Sequence, residues 1–252
     1  MTMTTEPPPS TTAALRFSGV SKKFKDGTVA LTGADLAVAP GEFVTVVGPS
    51  GCGKSTLLRI ASGLDKASDG EVAVHSKSVG YVFQDATLLP WRTVRDNVGL
   101  LAELEHMDKK ERERRVRDAI DLVGLTGFEK HLPMELSGGM RMRVSLARSM
   151  VLAPDVFLFD EPFGALDEIT RERLNDELLR MFIQSRFAAL FITHSVQEAV
   201  FLSGRVLVMS GRPGRVKAEV TVPFDYPRAP EIRYSAEFAA LCGEVSQYLR
   251  DV

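Results

Sequence analysis

The sequence predicts an α/β fold: a parallel sheet flanked by helices, with a helical segment inserted between its strands. Three observations carry this expectation. Continuous apolar, β-rich runs stand at 43–47, 156–159 and 188–193, as strands buried on both faces require. Helical patterns alternate with these runs, and strands alternating with helices build parallel sheets. From about residue 86 to 150 there is almost no strand signal and several helical ones, which marks an insertion.

In chain order, 15–24 and 30–38 read as short strands around an Asp26-Gly27 turn. The run 43–47 ends in glycine, and Leu57, Leu58 and Ile60 begin a helical pattern from Lys54 onward, so a glycine-rich loop lies between strand and helix. Segments 71–74 and 79–83 are further strand candidates. Inside the insertion, Asp108 with Glu111 three residues later resembles a capping box, and Val116, Ala119, Ile120 and Val123 form the stripe of an amphipathic helix. The charge run 108–118 reads as the solvated first half of that helix, not a nucleic-acid patch. A polar helix is expected over 168–182, and 205–209 with 216–222 form a hairpin around Ser210-Gly211-Arg212-Pro213-Gly214. Phe238, Leu241, Val245 and Leu249 mark a terminal amphipathic helix.

Composition bounds the function. The 252 residues suit one large domain, or a core with a subdomain, and 44% apolar with 25% charged residues is ordinary for a globular chain with a sizeable core. A net charge of −2 offers no global basic field, so no nucleic-acid partner is expected. Cys52 and Cys242, far apart, fit a reduced, cytosolic protein. No apolar run approaches the roughly 18 residues of a membrane span. Residues 1–12 lack the pattern of a signal peptide, and Pro7-Pro8-Pro9 among threonines reads as a disordered tail, taken as 1–13. Work at a membrane would require a partner.

The loop is Gly48-Pro49-Ser50-Gly51-Cys52-Gly53-Lys54-Ser55-Thr56, which matches the phosphate-binding pattern G-x-x-x-x-G-K-S/T. Glycines let backbone N–H groups converge on phosphate oxygens, and the following helix turns its positive end to the anion. Lys54 supplies a charge for the β- and γ-phosphates, and Ser55 a hydroxyl for Mg²⁺. The bland alternative is a glycine-rich turn with a solvated lysine. A dinucleotide fingerprint would need glycine at Thr56, and a serine-hydrolase elbow would need glycine at Cys52, which reads as a small spacer and not a nucleophile.

Hydrolysis also needs a magnesium carboxylate and a group to activate water. Asp160 and Glu161 close the run 156–159 at a strand's end, where α/β sites lie. Asp160 is assigned to Mg²⁺, directly or through water, and Glu161 to general base; alone, the two would equally read as solvated strand-end carboxylates. His194, at the end of 188–193, is either a surface histidine or a γ-phosphate contact.

At Leu136-Ser137-Gly138-Gly139-Met140 the chain resembles the ATP-binding subunits of ABC transporters, whose signature usually reads LSGGQ. The match runs from about residue 15 nearly to the end. It implies a P-loop NTPase (RecA-like) core with an antiparallel β subdomain, spanning 14–85 and 151–222, an inserted α-helical signature subdomain at 86–150, and a C-terminal extension at 223–252. By the same resemblance Phe24 stacks on adenine and Gln84 senses the metal and the membrane partner. Gly164-Ala165-Leu166-Asp167 is similar to the family's D-loop, which puts Asp167 at the nucleotide, and His194 to its switch histidine. Ser137, Gly138 and Gly139 also read physically as a second anion-binding helix start, or as a plain N-cap. In the family this segment closes over ATP held by the opposite subunit. The implied unit is therefore a homodimer with two ATP and Mg²⁺, on an integral membrane permease served by an extracytoplasmic substrate-binding protein. Its place would be peripheral, at the cytoplasmic face of the membrane. Met140 and Ser195 depart from the usual glutamine and aspartate. Residues 85–94, 137–144 and 211–216 resemble the nitrate/sulfonate/taurine importer group, in which Trp91 packs the helical subdomain or borders the permease groove. The alternatives are a non-transport ABC ATPase acting on nucleic acid or ribosomes, or an exporter cassette. The single cassette without coiled-coil insertion speaks against the first.

Overall fold

The computed structural model describes residues 13–250 except position 77. Of the tail expected over 1–13, residues 1–12 lie outside the described residues, and Ala13 is buried.

Two sheets form the frame. β1 (Leu15–Lys23), β2 (Val29–Val38) and β4 (Asp69–Val74) make a three-stranded antiparallel sheet in the order β2-β1-β4. β3 (Phe43–Val47), β5 (Val79–Val82), β6 (Val156–Asp160), β7 (Ala188–Ile192), β8 (Arg205–Met209) and β9 (Val216–Thr221) make a six-stranded sheet in the order β5-β6-β7-β3-β8-β9. It is parallel except for β9, which pairs antiparallel to β8 as the expected hairpin. The α/β expectation therefore holds.

The continuous apolar runs do bury both faces. Phe43, Phe157, Phe159 and Phe191 point into the larger core, while Val44, Val46, Leu158 and Leu190 point into the core under the antiparallel sheet. Alternate residues of a strand face opposite sides, so a strand covered on both faces is apolar throughout.

The helices are α1 (Lys54–Ala61), α2 (Val94–Val98), α3 (Leu100–Leu104), α4 (Lys109–Leu122), α5 (Gly138–Met150), α6 (Glu168–Ser185), α7 (Val196–Leu202) and α8 (Ala236–Arg250). Among the described residues the stretch between β5 and β6 contains no strand. Asp108 caps α4 by accepting from the Lys110 and Glu111 N–H groups, and the stripe Val116, Ala119, Ile120, Val123 is buried as expected. The reciprocal half of a capping box differs: Glu111 turns its carboxylate to Arg114 and Arg115. α6 continues to Ser185, past the expected 182, with Ile183 partly buried against the core and Arg186 closing the helix in a left-handed conformation. α7 has no counterpart in the sequence reading; its seven residues are too few for a clear period.

The terminal segment is docked. Phe238 and Val245 of α8 are buried, with Leu241 and Leu249 partly so. Arg228, itself buried, donates to the carbonyls of Val200, Phe201 and Ser203 at the end of α7.

Candidate functional site

The strand order β6-β7-β3 decides the site. Three parallel neighbours end together, so the loop after β3 and the residues closing β6 and β7 meet above their carboxyl ends. Glu161 N–H donates to Ile192 O at 3.0 Å, continuing the β6–β7 ladder beyond Asp160.

Residues 48–53 turn tightly into α1. Gly53, the N-cap, has φ +105°, and a Cβ there would come 2.7 Å from Ala30 O. The loop thus packs directly on β2 at a left-handed position, which only glycine accommodates. Pro49, Ser50 and Gly51 are exposed, Cys52 is buried, and Ser55 stands exposed beside half-buried Thr56. Burial pushes the Cys52 thiol up, so it is a spacer with little thiolate character. Lys54 is buried, and its Nζ donates to Gly48 O at 2.8 Å and Pro49 O at 3.0 Å while lying 3.8 Å from Glu161 Oε1. The first turn of α1 carries no acidic residue, which leaves its positive end to an anion.

Ser55 Oγ donates to Asp160 Oδ1 at 2.9 Å. Tyr81, from β5, donates its hydroxyl to Asp160 Oδ2 at 3.3 Å. Burial raises the Asp160 pKa and these two hydrogen bonds oppose it. Glu161 adopts φ +46°, rare for a non-glycine residue, and its Oε2 lies 3.3 Å from His194 Nδ1. A Cβ on Gly164 would reach within 3.4 Å of His194 Cε1, so the small residue leaves room for the ring.

One hydroxyl and one carboxylate form a hard oxygen set, which suits Mg²⁺ when phosphate oxygens complete the shell. Among the described residues no group of three or more His, Cys, Asp and Glu side chains gathers to hold a metal by itself.

The other expected residues lie apart. Ser137 caps α5 by accepting from Met140 N–H at 3.2 Å, and Asp167 caps α6 by accepting from Thr170 N–H at 3.0 Å. The two helix starts abut: a Cβ on Gly139 would stand 2.8 Å from Thr170 Cγ2, and one on Gly138 3.5 Å from Leu166 Cδ2. No hydrogen bond among the described residues joins Ser137, Gly138 or Gly139 to residues 48–56. Phe24 is exposed in the β1–β2 turn with Lys22 Nζ 5.2 Å from its ring centroid, and Gln84 is exposed just past β5.

Two contributors escaped the sequence reading. The Tyr81 hydroxyl sits on a strand that reads as plain core, and only pairing of β5 with β6 brings it to Asp160. The hairpin 210–215 was legible as a turn, but not as a wall of the site. Arg212 Nε donates to Gly51 O at 3.0 Å, and Gly214 N–H donates to Ala30 O at 2.9 Å. A cavity of about 660 Å³ lies at the opposite ends of the strands, lined by Gly41, Pro154 and Phe187 among others, remote from this chemistry.

Comparison with known proteins gives a consistent result. The ABC transporter family model matches residues 31–164. The chain is 45% identical over 229 residues to an uncharacterized ABC transporter ATP-binding protein of Methanocaldococcus jannaschii, covering 88% of this chain and 85% of that one. It is 42% identical over 223 residues to the aliphatic sulfonates import ATP-binding protein SsuB of Bacillus cereus, covering 84% and 88%. Among solved structures, it is similar to a dimeric ATP-binding cassette in a post-hydrolysis state bound to ADP and Pi, with TM-score 0.74, 30% identity and coverage of 84% and 100%. It is also similar to CbiO1 of Clostridium perfringens, part of the ABC transporter complex CbiONQ, with TM-score 0.78, 25% identity and coverage of 95% and 97%.

Proposed function

The chain belongs to the family of ABC transporter ATP-binding proteins, and from that premise we propose that it is the ATPase subunit of an importer for an aliphatic sulfonate or a similar small solute such as taurine or nitrate. The observation that carries the ATPase chemistry is the convergence of Lys54, Ser55, Asp160, Glu161 and His194 above β3, β6 and β7. In this reading the N–H groups of 48–56 and the Lys54 ammonium hold the β- and γ-phosphates. Ser55 and Asp160, with Gln84, would hold Mg²⁺, which would neutralise phosphate charge. Glu161 takes a proton from the attacking water as its oxygen bonds to the γ-phosphorus, and the bond to the bridging oxygen breaks, leaving ADP and phosphate. His194, 3.3 Å from Glu161, contacts the γ-phosphate. Phe24 stacks on the adenine.

Ser137, Gly138 and Gly139 complete the site of a second copy. Their separation from residues 48–56 within one chain supports this, as does the dimeric cassette to which the chain is similar. Asp167, beside them at the start of α6, lies at the same closure. Residues 86–150 then serve as the signature subdomain facing the permease, and 223–252 as an extension of the core at 14–85 and 151–222. Among the described residues no helix is long and apolar enough to cross a membrane. The chain then attaches peripherally, at the cytoplasmic face, through that permease. The sulfonate solute, and the extracytoplasmic binding protein delivering it, rest on similarity to SsuB.

The test is purification in mild detergent with the membrane subunit, followed by ATPase assays with binding protein loaded with ethanesulfonate, taurine or nitrate. Stimulation by one loaded form supports the reading. Co-purification of ribosomes or nucleic acid without a membrane subunit would overturn it.

A further inference from the structure

Three residues beyond Gln84 the backbone does something costly. Thr87 has φ +47°, and a β-branched residue in the left-handed region is a genuine outlier. What holds it there comes from α5, the helix whose first residues are Gly138 and Gly139. Arg148, in the last turn of α5 and 9% exposed, donates through one terminal nitrogen to Thr87 O at 2.9 Å. Through the other it donates to Ala86 O at 2.9 Å and Thr87 Oγ1 at 3.0 Å.

Among the described residues no carboxylate pairs with Arg148; its charge is met by these carbonyl and hydroxyl dipoles and by Ser145 Oγ at 3.5 Å. A buried guanidinium stripped of such acceptors is strongly disfavoured, so loop and helix are bound to move together. The far end of the loop is tied as well. Asn97, fully buried in α2, accepts from Leu89 N–H at 2.8 Å and donates to the carbonyls of Leu89, Arg92 and Thr93. Between the two anchors stands Trp91, 73% exposed and the single tryptophan of the chain.

We propose that Arg148 is a positioning residue that locks the loop following Gln84 to the signature helix, so that both shift as one body when nucleotide closes the two-chain site. This deepens the two-chain reading above and rests on it. Removing the guanidinium uncouples the signature helix from the Gln84 loop without touching a phosphate, metal or water contact.

The chain carries its own reporter. In a Glu161→Gln background, chosen to retain ATP, dimer formation is followed by size-exclusion chromatography and the loop by acrylamide quenching of Trp91. ATP with Mg²⁺ should produce a dimer and change Trp91 quenching. Adding Arg148→Met should leave the dimer and shrink the quenching change, normalised to dimer fraction, by about 3-fold or more. Thr87→Gly relaxes the left-handed position and removes the hydroxyl acceptor while leaving α5 intact; it should give a smaller loss in the same direction. A full Trp91 response in the Arg148→Met dimer overturns the proposal. So does a full response in Thr87→Gly should Arg148→Met not fold, and so does a Glu161→Gln dimer with no Trp91 change. Failure of Glu161→Gln to dimerise with ATP is a separate outcome that removes the two-chain reading and the linkage with it.

Discussion

Glu161 combines a backbone at φ +46° with a carboxylate 3.8 Å from Lys54 Nζ and 3.3 Å from His194 Nδ1. A strained residue poised between a cation and an imidazole is where a water-activating base is expected. Glu161→Gln keeps the shape and removes the basicity. Single-turnover hydrolysis should slow by roughly 10²–10⁴ with ATP affinity largely retained, and an unchanged rate would exclude the base role. Gly53 makes a sharper steric case. Ala at this position would need φ +105° and would drive a Cβ to 2.7 Å from Ala30 O. Gly53→Ala should cost about 2 kcal/mol or more in urea unfolding and abolish ATP binding measured by equilibrium dialysis, because loop and β2 must separate. Both residues stand in recognisable motifs. Their positions follow from a strand–loop–helix turn and a strand's end, which are local properties, so both residues could be singled out from the sequence.

At the scale of elements, α5 is joined to its neighbours by buried arginines. Arg143 forms an ion pair with Glu177 of α6, Nη2 to Oε1 at 2.9 Å, with side-chain exposures of 10% and 14%, and Arg173 shares the same carboxylate. Glu177→Ala would leave Arg143 buried and uncompensated. A loss of about 3 kcal/mol is expected in chemical unfolding, with Glu177→Gln intermediate. If Glu177→Ala unfolds at the parent denaturant concentration, the pair contributes nothing to joining the helices. The helical pattern of α4 was plain in the sequence because its apolar stripe has a period. The partners of Arg143 and Arg148 have no such signal, since a side chain's partner on another element leaves no period in its own. Thr87 had no signal at all: a positive φ at threonine is imposed by what surrounds it.

At the scale of the molecule, stability and pH meet at Glu198. It is buried at the start of α7, accepts from Thr193 Oγ1 and, at 3.4 Å, from Asn175 Nδ2. Burial raises its pKa, opposed by those two hydrogen bonds. The folded chain therefore holds this proton to higher pH than the unfolded one, and across that interval stability falls as pH rises, levelling off above both values. Glu198→Gln does not titrate, and its amide can donate to Asn175 Oδ1, a buried acceptor without a partner among the described residues. The variant should gain stability relative to the parent as pH rises from the ordinary glutamate range toward neutrality, read as the difference in urea midpoints. Parallel profiles would exclude Glu198 as the titrating group. The sequence by itself determined the fold class, the phosphate loop, the acidic pair and the signature, because each is a contiguous run whose spacing serves a local backbone geometry. Only the tertiary structure decided that β6 and β7 lie beside β3, bringing Glu161 and His194 to Lys54. It alone brought the Tyr81 hydroxyl to Asp160, Arg212 to Gly51 and Arg148 to Thr87. These contacts join residues 61 or more positions apart, and at that distance sheet order and packing choose the partner.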